Sequence, residues 1–329
     1  MEKKQDSLME ISNLTVRYNT DDAVVHAVNN FNLKLVRGEA CGLVGETGAG
    51  KTTLALSILR LLPERVGEVS GGSIVYDGQE LLKLPEAEML PLRGKRISMI
   101  FQDPMTSLNP TQTVGDQILE VLNLHFPEMT REDKNKRVDE MMTLVGIPPQ
   151  RKKSFPHEFS GGMKQRVVIA MALVAEPELL LADEPTTALD VTIQAQILEL
   201  MKQLREKFNT SVMLITHDLG VVAQFCDSVS VVYAGRVVEY GPVEVVFRRD
   251  ENHPYTAGLF NCIPNLHDDQ TRLHPIAGHM ADPRVEYKGC CFVDRCEYAT
   301  ERCRTEAPSM HVRGEHGILC HRYDRKEKF

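Results

Sequence analysis

Apolar and polar positions divide the chain into segments of different period. Phe31–Val36 alternates around Leu33 and Leu35 and, with Leu14–Tyr18, predicts short half-buried strands. Residues 41–44 (Cys-Gly-Leu-Val), 179–182 (Leu-Leu-Leu-Ala) and 212–215 (Val-Met-Leu-Ile) are continuous apolar runs, the pattern of parallel strands covered on both faces. Between the last two, Ile193, Ile197, Leu200, Leu204 and Phe208 recur at helical spacing. This predicts a helix over 191–208 and a βαβ unit with a right-handed crossover. Thr52–Leu62 reads as a helix stopped by Pro63, and the turn signals Gly71–Gly72 and Asp77–Gly78 bracket a strand over 73–76. From about 111 to 175 the pattern is helical, with a charged face over 131–137 and prolines at 127, 148, 149 and 156. Past Asp250 long apolar runs become few while His, Cys, Pro and Arg become frequent. The expected division is therefore 1–250 and 251–329, with no internal repeat.

Composition narrows the class. In 329 residues, 42% hydrophobic and 26% charged side chains fit a globular protein and exclude disordered, collagen-like and coiled-coil chains. The longest apolar stretch, Val167–Ala175, has nine residues against the roughly 20 of a membrane helix, so no span is expected. The N-terminal MEKKQDSLME lacks an apolar core, which argues against a signal peptide. A net charge of −8 speaks against broad phosphate neutralisation on a nucleic acid, and the absence of Trp leaves little for base stacking.

The strongest chemical signal is Gly45-Glu46-Thr47-Gly48-Ala49-Gly50-Lys51-Thr52, followed by Thr53, between a predicted strand and a predicted helix. This is the phosphate-loop pattern. Its glycines let the backbone wrap around phosphates, its N–H groups form an anion nest, and the following helix adds a favourable dipole. Lys51 is expected to reach the β- and γ-phosphates and the Thr52 hydroxyl to ligate Mg²⁺. A second signal is the apolar run 179–182 ending in Asp183 and Glu184. Acids at a strand's C-terminal edge suit a Mg²⁺-holding carboxylate, Asp183, and a group that orients or deprotonates water, Glu184.

Together with further motifs in fixed order, these segments resemble the ATP-binding subunit of an ABC transporter over roughly residues 10–250. Ser160-Gly161-Gly162-Met163-Lys164-Gln165-Arg166 resembles the family's signature, and Gln102 in Ile-Phe-Gln-Asp-Pro its Q-loop. Thr187-Ala188-Leu189-Asp190 resembles the D-loop, and His217 in Thr-His-Asp the switch histidine. Tyr18 lies where the family places an aromatic that stacks on adenine. The resemblance implies a P-loop α/β core with an antiparallel β edge, a helical insert over about 111–175 and a Cys-rich C-terminal extension. It implies ATP with Mg²⁺ held by Thr52, Gln102 and Asp183. Glu184, His217 and Gln102 become the catalytic set, and Ser160, Gly161, Gly162 and Asp190 face nucleotide in a shared dimer.

Residues 104–110 (Pro-Met-Thr-Ser-Leu-Asn-Pro), Phe159 and Met163 at the signature, and His253-Pro254-Tyr255-Thr256 resemble the oligopeptide and dipeptide importers. The expected partners are a second, homologous ATPase subunit, two transmembrane permease subunits and an extracytoplasmic solute-binding protein, with no nucleic acid. The chain would sit on the cytoplasmic face of the membrane. Nickel chelates, glutathione and oligosaccharides are alternative cargoes, and a soluble ABC ATPase acting on DNA or ribosomes is the rival class.

Five of the eight cysteines fall between Cys290 and Cys320, whereas Cys41, Cys226 and Cys262 stand singly and read as small packing residues. Cys290, Cys296, Cys303 and Cys320 are separated by five, six and sixteen residues, unlike a zinc knuckle. Iron–sulfur, zinc and free thiols all fit that spacing, and His311, His316 and His321 keep a mixed zinc site open. Resemblance to the peptide-importer tail implies a 4Fe–4S cluster on those four thiolates, with Cys291 surplus.

Overall fold

The computed structural model describes residues 7–187, 189–262 and 275–324; Ala188 of the expected D-loop and the first six residues of the N-terminal reading lie outside them. The chain forms two compact units, one built mainly from Leu35–Ala40 and Lys83–Ile215, the other from Leu8–Lys34, Cys41–Leu82 and Thr216 onward.

In the first unit, strands Ile97–Ile100, Leu179–Asp183 and Ser211–Thr216 run parallel, with Ile97 opposite Leu179 and Asp183 opposite Ile215. The two strands read as continuous apolar runs are buried at every position. The connecting helix, Val191–Phe208, starts where the Asp190 carboxylate accepts the Ile193 N–H at 2.9 Å and ends at Asn209 in the left-handed region. Such a cap is worth about 1 kcal/mol. Its core stripe is Ile197, Leu198, Leu200, Met201 and Leu204.

The helical stretch holds Val114–His125, Arg131–Leu144 and Gly161–Leu173. Thr113 and Thr130 cap the first two by accepting from Asp116 and Asp133 N–H. Their apolar sides meet through Ile118, Leu122, Val138, Met141 and Met142, each no more than 1% exposed.

The second unit carries two sheets. One has the order Val24–Val36, Ser7–Asn19, Gly67–Tyr76, Gln79–Glu80. Its middle strands are longer than the sequence pattern suggests, because the expected turn at Gly71–Gly72 is absorbed within one strand. Gly72 has φ +90, and a Cβ there would come within 2.6 Å of the Asn13 and Leu14 backbone. In the other sheet Ala40–Val44 runs parallel to Ser228–Tyr233, which pairs antiparallel with Arg236–Pro242. The hairpin Met310–Arg313 and His316–Leu319 continues that edge through Glu239 opposite Ile318. Helix Lys51–Ile58 follows the parallel strand and stops one turn short of Pro63. Among the described residues no helix is long and apolar enough to cross a membrane.

Candidate active site

The loop 45–50 leaves the buried strand Ala40–Val44 and enters helix Lys51–Ile58. Two of its glycines are dictated by contact. A Cβ on Gly45 would stand 2.2 Å from the Val232 carbonyl oxygen, and one on Gly50, at φ +93, 2.1 Å from that of Ala27. Gly48 is different: it has φ +85 with open space around it, so its backbone angle alone calls for glycine. Thr47 and Gly48 are exposed at the tip, whereas Ala49 is buried and its carbonyl accepts the Gly235 N–H at 3.0 Å.

Lys51 is 6% exposed, and its ammonium donates to the Gly45 carbonyl at 2.6 Å and the Glu46 carbonyl at 3.0 Å. The cation is thus held across the mouth of the loop by its own backbone. Thr52 is exposed on the first helical turn. The Tyr18 hydroxyl donates to the Thr53 hydroxyl at 3.1 Å, tying the strand that carries the expected adenine-stacking ring to that turn.

The second cluster belongs to the other unit. Asp183, 2% exposed, ends its strand, and Glu184 follows at φ +47 with its N–H donating to the Ile215 carbonyl at 2.8 Å. A glutamate in the left-handed region is strained, by about 1–3 kcal/mol, and that turn swings its carboxylate off the strand axis. One carboxylate oxygen accepts from both Gln102 Nε2 and the Thr187 hydroxyl, each at 3.0 Å. Expected residues Gln102 and Glu184 therefore meet directly. Thr187, which the sequence offers only as a motif member, adds a second hold on the same oxygen through its hydroxyl. Its place three residues after Glu184 is the signal that could have revealed it.

Ser160 precedes helix Gly161–Leu173 with its side chain exposed and making no cap bond. Gly162 lies against Ile193, whose Cγ2 a Cβ would approach to 2.6 Å. His217 is exposed just before helix Leu219–Phe225, which Asp218 caps by accepting the Gly220 and Val221 N–H groups. Two residues far along the sequence reach the phosphate loop: the Tyr255 hydroxyl accepts the Glu46 N–H, and Arg295 donates to the Glu46 carboxylate. Tyr255 had a signal, as the third residue of His253-Pro254-Tyr255-Thr256; Arg295 had none.

The cysteine expectation is corrected here. Cys290, Cys296, Cys303 and Cys320 border one closed space, but it holds only about 20 Å³, room for about one water. Among the described residues, no group of three or more His, Cys, Asp or Glu side chains is placed to hold a metal ion. Burial pushes the Cys290 thiol up to about 12 and raises Cys296 and Cys320 as well. A 4Fe–4S cluster does not fit this arrangement, and neither does a zinc ion. None of the eight cysteines, all of them among the described residues, forms a disulfide. Cys41 and Cys226 are buried as expected, and Cys262 is half-buried.

Comparison with known proteins agrees with the motif order. Residues 28–187 match the family described as ABC transporter, and residues 238–303 match the oligopeptide/dipeptide transporter C-terminal region. The oligopeptide transport ATP-binding protein OppD of Haemophilus influenzae is 47% identical over 326 residues, 98% of each chain. The dipeptide transport ATP-binding protein DppD of Bacillus subtilis is 46% identical over 324 residues, 98% of this chain and 96% of its own. A dimeric ATP-binding cassette solved in a post-hydrolysis state with ADP and phosphate superposes with a TM-score of 0.64 at 28% identity, covering 71% of this chain and 98% of its own. ATP and Mg²⁺ are the ligands of such cassettes. With a phosphate loop in which contacts at Gly45 and Gly50 admit no side chain, and relatives that match the chain over nearly its whole length, this chain belongs to the ABC transporter family as an ATP-hydrolysing importer subunit.

Proposed function

We propose that this chain hydrolyses ATP at the cytoplasmic face of the membrane to drive uptake of oligopeptides or dipeptides through two separate permease subunits. The observation that carries the reading is the joint match to the cassette family and to the oligopeptide/dipeptide C-terminal region, in one chain of full-length similarity. Residues 1–250 act as the ATPase domain and 251–329 as a cysteine-rich extension of the peptide-importer type. The solute reaches the permeases on an extracytoplasmic binding protein.

Gly45–Gly50 wrap the phosphates with backbone N–H groups, and Lys51 exchanges its loop carbonyls for β- and γ-phosphate oxygens. Tyr18 supports the base and Thr53 holds Tyr18. Thr52, Gln102 and Asp183 are the residues that would hold Mg²⁺, which supplies charge neutralisation on the phosphates. Glu184 orients the attacking water and takes up its proton; Gln102 and Thr187 fix its carboxylate until then. His217 reads the γ-phosphate. Ser160, Gly161 and Gly162, with Asp190 nearby, serve the nucleotide of a second, homologous ATPase subunit in a heterodimer.

The test is the assembled transporter carrying Glu184→Gln. The amide keeps the shape and loses the base, so ATP binding persists while turnover falls roughly 100-fold or more. In the parent complex, peptide-loaded binding protein is expected to raise ATP turnover. Absence of a second ATPase or of peptide stimulation would refute the transport reading, and near-normal turnover of the variant would remove Glu184 from its role.

A further inference from the structure

Within the phosphate loop, Glu46 is bonded through its N–H, its carbonyl and its carboxylate, and two of its partners come from the far end of the sequence. Its N–H donates to the Tyr255 hydroxyl at 3.0 Å. Its carbonyl accepts from Lys51 and from the Ala49 N–H. Its carboxylate receives both arms of the Arg295 guanidinium, at 2.7 and 3.1 Å. Arg295 is itself immobilised: its side chain is 5% exposed, it donates to the Ala277 carbonyl at 3.1 Å, and it lies over the Tyr233 and Phe292 rings. Tyr255 is fully buried against the same two rings, at 4.7 and 5.5 Å between centroids.

We propose that Arg295 and Tyr255 are positioning residues for ATP binding, which clamp Glu46 and with it the phosphate loop. The physical need is specific. A carboxylate in a loop that must receive a polyphosphate is a like charge at the site, and a bidentate guanidinium neutralises it and directs it away. Tyr255 accepts the Glu46 N–H, which fixes that peptide plane and so the direction of the loop that follows. Thr47 and Gly48 are exposed and contribute little rigidity, so the loop is ordered from Glu46. Ordering it before the nucleotide arrives removes part of the entropy lost on binding. The region after residue 250 thereby takes part in the site although no nucleotide motif lies in it.

The experiment uses the full transporter complex and ATP itself, with affinity measured by calorimetry and turnover measured separately. Arg295→Gln leaves Glu46 unpaired, and ATP affinity falls about tenfold with KM rising in step and kcat changing less than threefold. Glu46→Gln placed on top of Arg295→Gln returns affinity to within about twofold of Glu46→Gln alone, because the repelling charge is gone. A merely structural role would not be rescued this way. Tyr255→Phe keeps the ring packing and loses the acceptor, and weakens ATP about threefold. Should Arg295→Gln fail to assemble, Arg295→Lys, which retains charge without the fork, is expected to weaken ATP about threefold. Unchanged ATP affinity in an assembled Arg295 variant, or a double variant no tighter than Arg295→Gln, would overturn the proposal.

Discussion

The phosphate loop and the cysteine segment both present special residues at close spacing, yet they differ in what fixes those residues. In the loop, Gly45 and Gly50 are required by carbonyl oxygens barely 2 Å from where a Cβ would stand, and Lys51 is held by two loop carbonyls. Each residue is bound to the backbone path, so identity and geometry constrain one another. Around Cys290, Cys296, Cys303 and Cys320 the backbone makes no such demand. The thiols border a space of about 20 Å³ with Phe292 and Val293, and burial holds three of them neutral. They pack as small apolar groups. Spacing is a strong guide where the chain path needs those residues, and a weak one where it only gathers them.

The comparison is broken most sharply at Gly45. Gly45→Ala drives a methyl group into the Val232 carbonyl, which belongs to a buried strand with no room to yield. The loop must move instead, and ATP affinity drops by roughly 100-fold or more, since losing two backbone hydrogen bonds to a charged phosphate, each worth about 1.5–3 kcal/mol, costs that much. Calorimetry with ATP on the purified complex reads it directly. Affinity within threefold of the parent would show that the loop is not held as its contacts indicate.

How far the sequence is legible follows the same line. The strands at 41–44, 179–183 and 211–216 and the helix at 191–208 are visible because continuous burial and a 3.6-residue stripe leave no alternative. Gln102 and Glu184 are visible as motif members, although their mutual bond is not. The long strand over 67–76 is hidden by Gly71–Gly72, since glycine reports only freedom from a Cβ and is as compatible with a close strand crossing as with a turn. Arg295 is hidden for another reason. It lies 249 residues from Glu46, and a single charged residue among cysteines carries no period, motif or spacing that selects a partner.

A second test moves to the wall of the cysteine cavity, where His253 stands. It is 1% exposed, its Nδ1 accepts the Tyr255 N–H at 3.1 Å, and burial pushes it down to about 3. In the unfolded chain a histidine titrates near 6.5, so below that pH the unfolded state binds a proton that the folded state refuses. The stability tied to His253 is therefore complete above about pH 6.5 and is lost as pH falls toward 3. By pH 5 the loss is about 2 kcal/mol. Urea unfolding at pH 7 and pH 5 measures it, with His253→Asn as the reference that lacks the titrating ring. A parent and a variant that lose equal stability between the two pH values would mean that His253 accepts its proton while folded.

The smallest expected effect, and the one that sharpens the contrast, is at Cys291. Its side chain is 6% exposed, its Sγ lies 3.9 Å from the Tyr233 carbonyl, and burial pushes the thiol up to about 11. Alkylation proceeds through the thiolate, which at pH 8 is then roughly one molecule in a thousand, against about one in four for an unperturbed thiol. Iodoacetamide at pH 8 should therefore label Cys291 at least 100-fold more slowly than glutathione, read by peptide mass spectrometry. Cys291→Ala removes one sulfur from a packed wall and leaves the backbone that carries Arg295 in place. Stability should fall by about 1 kcal/mol, the cost of a small vacated volume, while ATP affinity stays within twofold. A tenfold loss of ATP affinity in this variant would mean that the thiol itself, and not the Arg295–Glu46 pair, transmits order from the C-terminal region to the phosphate loop.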